Sequence, residues 1–264
     1  MRDFTLAKYR ELCEAVLKGY EPMTVKSYLM QNPSGSVVIM RHDVDRKPES
    51  ALRMAELERE MGIKSTYYFR MKRGVFRKDI IKKIASMGHE IGYHYEVLDK
   101  AKGDFEKAIR IFEEELKAFR KIYDVKTICM HGNPLSKWIN RDLWSVYDFR
   151  NFDIIGEPYI SINYKRVLYL TDTGRNWSTK FSVKDLVNVR SVLYENIKST
   201  DDVIQVLNDG RIDQICISVH PNRWSRNFGE WLKEFMWQNI KNVGKIGIRL
   251  YAVSYTHLTL PTKA

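Results

Sequence analysis

Within five consecutive residues, Arg41-His42-Asp43-Val44-Asp45, the chain places one imidazole and two carboxylates, directly after the apolar run "VVIM". Other polar groups stand beside short apolar runs in the same way. His89 and His94 bracket "EIGY", His131 follows "KTICM", His220 follows "ICISV", and Asp172 follows "VLYLT". Burying so many ionisable groups is costly unless they hydrogen-bond or share a cation. A mixture of histidine and aspartate with little sulfur suits Zn²⁺ or a similar divalent ion. The chemistry this set points to is metal-assisted hydrolysis, with an aspartate free to act as base and a histidine as acid. In "DVD", residues i and i+2 share a face if the strand continues, so one carboxylate could hold an ion while the other faces a bound water. A plainer reading makes Asp45 a turn residue or helix cap ahead of Pro48, which accounts for one aspartate but not for its company.

Such side chains need strands that end at a common rim. "SVVIMRHD" reads as a strand, and "PESALRMAELEREMG" as a helix with Pro48 in its first turn. "KSTYYFRM" reads as a strand, "KDIIKKIASMG" as a helix, "HEIGYH" as a short extended piece, "GDFEKAIRIFEEELKAFRKIY" as a long helix and "VKTICMHG" as a strand. Residues 133–208 are less regular. The strands "VLYLTDTG" and "QICISVHP" and the helices "DDVIQVLNDG" and "FGEWLKEFMWQNIKN" still stand out beyond "KTICM". Strand and helix in alternation mark a parallel α/β sheet. With no repeat and no linker, the chain reads as one domain over residues 1–253. Its simplest closure is a distorted or incomplete parallel (β/α) barrel whose polar strand ends meet at the C-terminal rim. The last eleven residues, "SYTHLTLPTKA" (254–264), lack period and charge, resemble a vector-derived scar, and are expected to be non-native or disordered; His257 is set aside with them.

Composition limits the function classes. Of 264 residues, 44% are hydrophobic and 29% charged, enough apolar material for a core and no case for disorder. The net charge of +11 would suit an anionic partner, but Lys and Arg alternate with Glu and Asp on helix-like segments, and no nucleic-acid motif accompanies them. Nucleic acid is therefore not an expected partner. Cys13, Cys129 and Cys216, odd in number and without CxxC spacing, read as reduced core residues. The amphipathic N-terminus is no signal peptide and no window suits a membrane span, so the expected location is cytoplasmic.

The segments "VVIMRHDVD", "GIKSTYYF" and "MGHEIGYHYE" resemble the polysaccharide deacetylases of carbohydrate esterase family four, as a divergent member of an "RHDVD" type. The likeness is good from Val37 to Glu96 and weaker to Trp224, with "GHEIGYH" its most specific piece. It implies a distorted barrel, a divalent metal, usually zinc, and removal of N- or O-acetyl groups from a carbohydrate or glycan precursor. It also implies roles: Asp43 as base, Asp45 and His94 as metal ligands, His220 as general acid. Three departures stand out. Val44 opens the usual Asp-Asp pair, Leu98 occupies the place of the second metal histidine, and "MHGNPLSKW" replaces an Arg-Pro-Pro segment.

A substitute third ligand is then required. His131, delivered by a neighbouring strand end, is preferred over Glu96 and His89. In "YLTDTGRNW", Asp172 and Arg175 are expected to orient the catalytic groups as an ion pair and Trp177 to wall a sugar site. Trp138, Trp144 and Trp224 are further candidates for stacking on sugar rings, and His42 is expected to support the site rather than ligate. Two rival functions follow: hydrolysis of a non-peptide C–N bond in a small amide, or glycan binding without turnover, the latter motivated by Leu98.

Overall fold

In the computed structural model, which describes residues 2–177 and 197–242, helices and strands alternate along the chain. The order is α1 (Leu6–Gly19), β1 (Glu21–Met23), α2 (Val25–Gln31), β2 (Val37–Val44), α3 (Pro48–Glu60), β3 (Thr66–Phe69), α4 (Lys78–Ser86) and β4 (Glu90–Tyr95). It continues with α5 (Val97–Ala101), α6 (Phe105–Arg120), β5 (Ile128–Met130), α7 (Pro158–Ser161), β6 (Leu168–Thr171), α8 (Thr200–Asp209) and β7 (Gln214–Val219), and a last helix covers 228–242. Local chemistry sets many of these boundaries. Thr5 caps α1 by accepting from the Lys8 amide, Pro48 opens α3, Asp104 caps α6, and Ser199 with Asp202 closes a capping box on α8.

All strand pairs are parallel, in the order β5-β4-β3-β2-β7-β6, with β1 lying against the first half of β2. This is the succession of a closed barrel in which β5 would meet β6. Among the described residues that seam stays open, crossed near β5 only by an isolated bridge between Thr127 and Gly156. The fold is thus the incomplete parallel α/β barrel expected from the alternation. The expected strand over "IGIRLYAV" and the tail at 254–264 lie outside the described residues.

The pleat sorts β2 into two faces. Val37 and Ile39 pack into one apolar cluster with Tyr68 and Tyr169, whereas Val38 and Met40 pack into the other with Tyr9, Leu12 and Met54 of the covering helices. Arg41 and Asp43 continue the first face, and His42 continues the second. A close approach across β3 and β4 needs Gly92: a Cβ there would lie 2.3 Å from the Tyr68 ring and 3.0 Å from the Thr127 carbonyl oxygen.

Candidate active site

Parity along the strands decides which polar groups meet. Asp43 is the penultimate residue of β2, on its inner face, and Asp45 follows two residues on. His94 lies on β4, His131 directly follows β5, and His220 directly follows β7. Because the strands are parallel, these ends share the C-terminal rim. Asp45 Oδ1 faces His94 Nε2 and His131 Nε2 at 3.5 Å each, and Asp45 Oδ2 faces His220 Nε2 at 3.9 Å.

Two of the imidazoles, His94 and His220, have a hydrogen-bond acceptor behind them. His94 Nδ1 lies 2.9 Å from the Cys129 carbonyl oxygen and His220 Nδ1 lies 2.7 Å from Asp172 Oδ1. His131 Nδ1 lies 3.4 Å from Glu96 Oε2 without a hydrogen bond to it. With the His94 proton on Nδ1, its Nε2 lone pair is turned to Asp45, the tautomer that a metal-binding histidine needs. Glu96 is itself held by Arg70, and Asp172 also accepts from Arg223 Nη1 at 2.6 Å, Trp224 Nε1 at 2.9 Å and the His220 amide. The ring positions are therefore set by a surrounding layer of buried partners.

Two separations suit a cation, those from Asp45 Oδ1 to His94 Nε2 and to His131 Nε2. Asp45 Oδ1 is buried yet has no hydrogen-bond partner, although its side chain is 25% exposed. Donors about 2.1 Å from a tetrahedral ion sit about 3.4 Å from one another, close to the 3.5 Å separations found here. Burial pushes the Asp45 carboxyl up, but the adjacent imidazoles, His131 first, outweigh it and hold the group well below the usual carboxylate range. Burial, opposed by Asp45 but reinforced by Arg70 and His94, lowers His131 to about 4, so it stays neutral and able to donate a lone pair. His94 is raised, because Asp43 and Asp45 overcome its burial.

Among the described residues, the group whose potential ligand atoms all lie within 4.8 Å of one another is a different one, Asp43, His94 and Cys129. We favour the Asp45 group for two reasons. Asp43 Oδ2 already accepts from Arg41 Nη2 at 2.7 Å and from Ser218 Oγ at 3.5 Å, and the Cys129 thiol donates to the Met130 carbonyl at 3.6 Å. Asp43 Oδ1 is buried and unpartnered. Burial raises the Asp43 carboxyl, but Arg41, then His94 and His220, pull it below its ordinary value, so it is ionised at neutral pH and free to take a proton.

Several expected site residues lie elsewhere. His42 points to the outer face, where its Nε2 meets Glu58 Oε1 at 2.7 Å and its ring stacks on Tyr67. His89 lies below the rim, with the Ser65 amide donating to Nδ1 at 3.2 Å and Nε2 3.0 Å from the Ala55 carbonyl oxygen. Arg175 does not pair with Asp172. It adopts φ 55°, donates to the Trp231 carbonyl and sits against the rings of Phe4, Trp231 and Phe235, while Arg223 takes the place beside Asp172. Trp177 is 3% exposed, donates to Thr200 Oγ1 at 3.0 Å and packs near Trp224, itself 1% exposed, so neither walls a sugar site. Trp144 bonds Tyr95 and packs on Phe112, and Trp138 is only partly exposed.

Cavities of about 410 Å³ beside Arg175 and Trp231, and of about 610 Å³ beside Trp144 and Ile160, are lined by neither Asp45 nor the three imidazoles. Among the described residues, no helix is long and apolar enough to cross a membrane. Leu98 is buried in the core at the start of α5, its amide held by Asn140 Oδ1 at 3.0 Å, and the same Asn140 donates to the His131 carbonyl oxygen.

No protein-family model and no curated protein matches the chain. Among solved structures it is similar to a protein from Mycobacterium smegmatis described as a polysaccharide deacetylase, at 14% identity and a TM-score of 0.44, covering 78% of this chain and 84% of that one. It is also similar to phospho-2-dehydro-3-deoxyheptonate aldolase from Thermotoga maritima, at 12% identity and a TM-score of 0.32, covering 80% and 69%. Both likenesses are distant, and the chemistry of the site rests on its own residues.

Proposed function

We propose that the chain is a metal-dependent deacylase that removes an acetyl group from a carbohydrate or glycan precursor, as a divergent relative of the polysaccharide deacetylases. The observation that carries this reading is the unpartnered Asp45 Oδ1, with His94 Nε2 and His131 Nε2 each 3.5 Å away. Asp45, His94 and His131 would hold the ion, with zinc the best match to a carboxylate and two imidazoles. A divalent ion bound there would polarise the acyl carbonyl and lower the pKa of a bound water. Asp43 accepts the water's proton at its free Oδ1, kept ionised by Arg41 at Oδ2. His220, oriented through Nδ1 by Asp172, presents Nε2 to the mouth and protonates the leaving nitrogen or oxygen.

The test is zinc content after reconstitution, measured by elemental analysis for the wild type and His94→Ala, alongside acetate release from a panel of acetylated sugars, nucleotide sugars and small amides. The wild type is expected to hold one zinc per chain and the variant to lose it. A wild type without stoichiometric metal refutes the proposal. Buried Leu98 motivates the binding-only reading, which a zinc-loaded protein inert toward the whole panel would favour. Turnover of small amides alone would move the substrate class to non-peptide C–N bonds.

A further inference from the structure

We infer that Glu234, on the helix over 228–242, is a positioning residue for Asp45; the inference rests on the ion site proposed above. Glu234 is 2% exposed, and its carboxylate accepts from Arg46 Nη2 at one oxygen and from Lys47 Nζ, at 3.1 Å, at the other. Arg46 and Lys47 are the two residues that follow Asp45. A buried carboxylate meeting two cations is a different object from a solvated surface pair, because losing one side leaves uncompensated charge.

The loop it grips is strained. Lys47 has φ 52°, a left-handed conformation uncommon for a residue with a side chain, and it precedes Pro48, which restricts it further. Lys47 stands at the N-cap of α3 yet makes no capping hydrogen bond through its side chain. Its carbonyl accepts from the Ser50 amide at 2.9 Å, and its half-exposed side chain is tied to Glu234. On the other side, Arg70 Nη1 reaches the Asp45 carbonyl at 3.5 Å. Since Asp45 Oδ1 has no hydrogen bond of its own, the aim of the carboxylate is decided by where the loop puts it. α3 is fixed by its packing, so relaxation of Lys47 must shift residues 45 and 46 rather than the helix.

Removing the grip should loosen the ion site without dismantling the fold. Glu234→Gln is expected to raise the zinc dissociation constant, measured by competition with a chromophoric chelator, by about 10-fold or more, the range typical of groups that orient ligands. Lys47→Gly removes the strain at source, because glycine adopts positive φ freely. The double variant Lys47→Gly/Glu234→Gln should therefore return to within about 3-fold of wild type. In metal-free protein, hydrogen exchange at the amides of residues 45–47 should be faster in Glu234→Gln and near wild type in the double variant. Wild-type zinc affinity in Glu234→Gln overturns the inference. So does a weakened affinity that Lys47→Gly fails to restore, since Glu234 would then act through the fold at large. Should the wild type bind no zinc, the deacylase proposal falls separately, and unchanged exchange at 45–47 would still overturn the role of Glu234.

Discussion

Replacing Glu58 by Gln removes a charge at the centre of a fully buried polar cluster on the outer face of β2. Tyr9 donates to Glu58 Oε1 at 2.5 Å, Tyr67 donates to Oε2 at 2.6 Å, His42 Nε2 lies 2.7 Å from Oε1, and His89 Nδ1 lies 3.7 Å from Oε2. Burial alone would raise the carboxyl, but the charge and hydrogen bond of His42, then His89 and Tyr67, bring it from 4.5 down to about 2. At about 1.4 kcal/mol per pKa unit, this depression corresponds to about 3 kcal/mol of folding stability. The group is depressed in the folded state, so the contribution is fully present above its unfolded pKa and is lost as pH falls from 4.5 toward about 2. Urea unfolding of wild type and Glu58→Gln should differ by about 3 kcal/mol near pH 7, and the gap should close as the pH approaches 2 to 3. Taking the difference cancels carboxylates common to both proteins. Zinc content should not change, because the cluster lies on the opposite face of β2 from Asp43. A gap under about 1 kcal/mol at neutral pH, or one that persists undiminished in acid, would refute the reasoning.

Arg41→Met takes away the cation that depresses Asp43 and leaves that buried carboxylate uncompensated, so stability should drop by about 3–5 kcal/mol in urea unfolding. In whatever fraction folds, the Asp43 carboxyl rises, and the acid limb of the pH–rate profile for acetate release should move to higher pH. Trp177→Phe gives up the hydrogen bond to Thr200 inside the core, with an expected loss of about 1 kcal/mol. Its KM for any acetylated sugar should match wild type, and a raised KM would return Trp177 to the substrate site.

The alternation of apolar runs with amphipathic ones shows where β2, β3, β4 and the helices between them lie, because each obeys a period of its own. β1 escapes because "EPM" is three residues long and carries no period. The histidines divide by a rule that was available in the sequence. Arg41, Asp43 and Asp45 share parity, and His42 does not, so a reading by alternation alone turns His42 outward and brings Arg41 to the base. His89 and His220 divide by chain order as well: His89 precedes β4 and His220 follows β7, so in a parallel sheet only His220 reaches the C-terminal rim. Arg175 and Arg223 stand three residues after Asp172 and His220 respectively, and only the packing of two loops decides which one reaches Asp172. Glu58 and Glu234 look like any acid on a charged helix. Their burial depends on what the helix lies against, which no single-residue spacing encodes.

The place of β7 in the sheet bears on how the chain reaches this arrangement. β7 inserts between β2 and β6, and Val37 pairs with Gln214, 177 positions further along. A chain emerging from its N-terminus must therefore hold one edge of β2 unpaired until nearly the whole of the described sequence has been made, with β3 and β4 already able to dock on the other edge. Pairings of such separation carry a large loop-closure cost and form slowly. During that interval the exposed edge invites pairing with other chains. Arrival of β7 ends the exposure and, in the same event, delivers His220 to Asp45, so acquisition of the full set of imidazoles doubles as a report that β7 has paired with β2 in register.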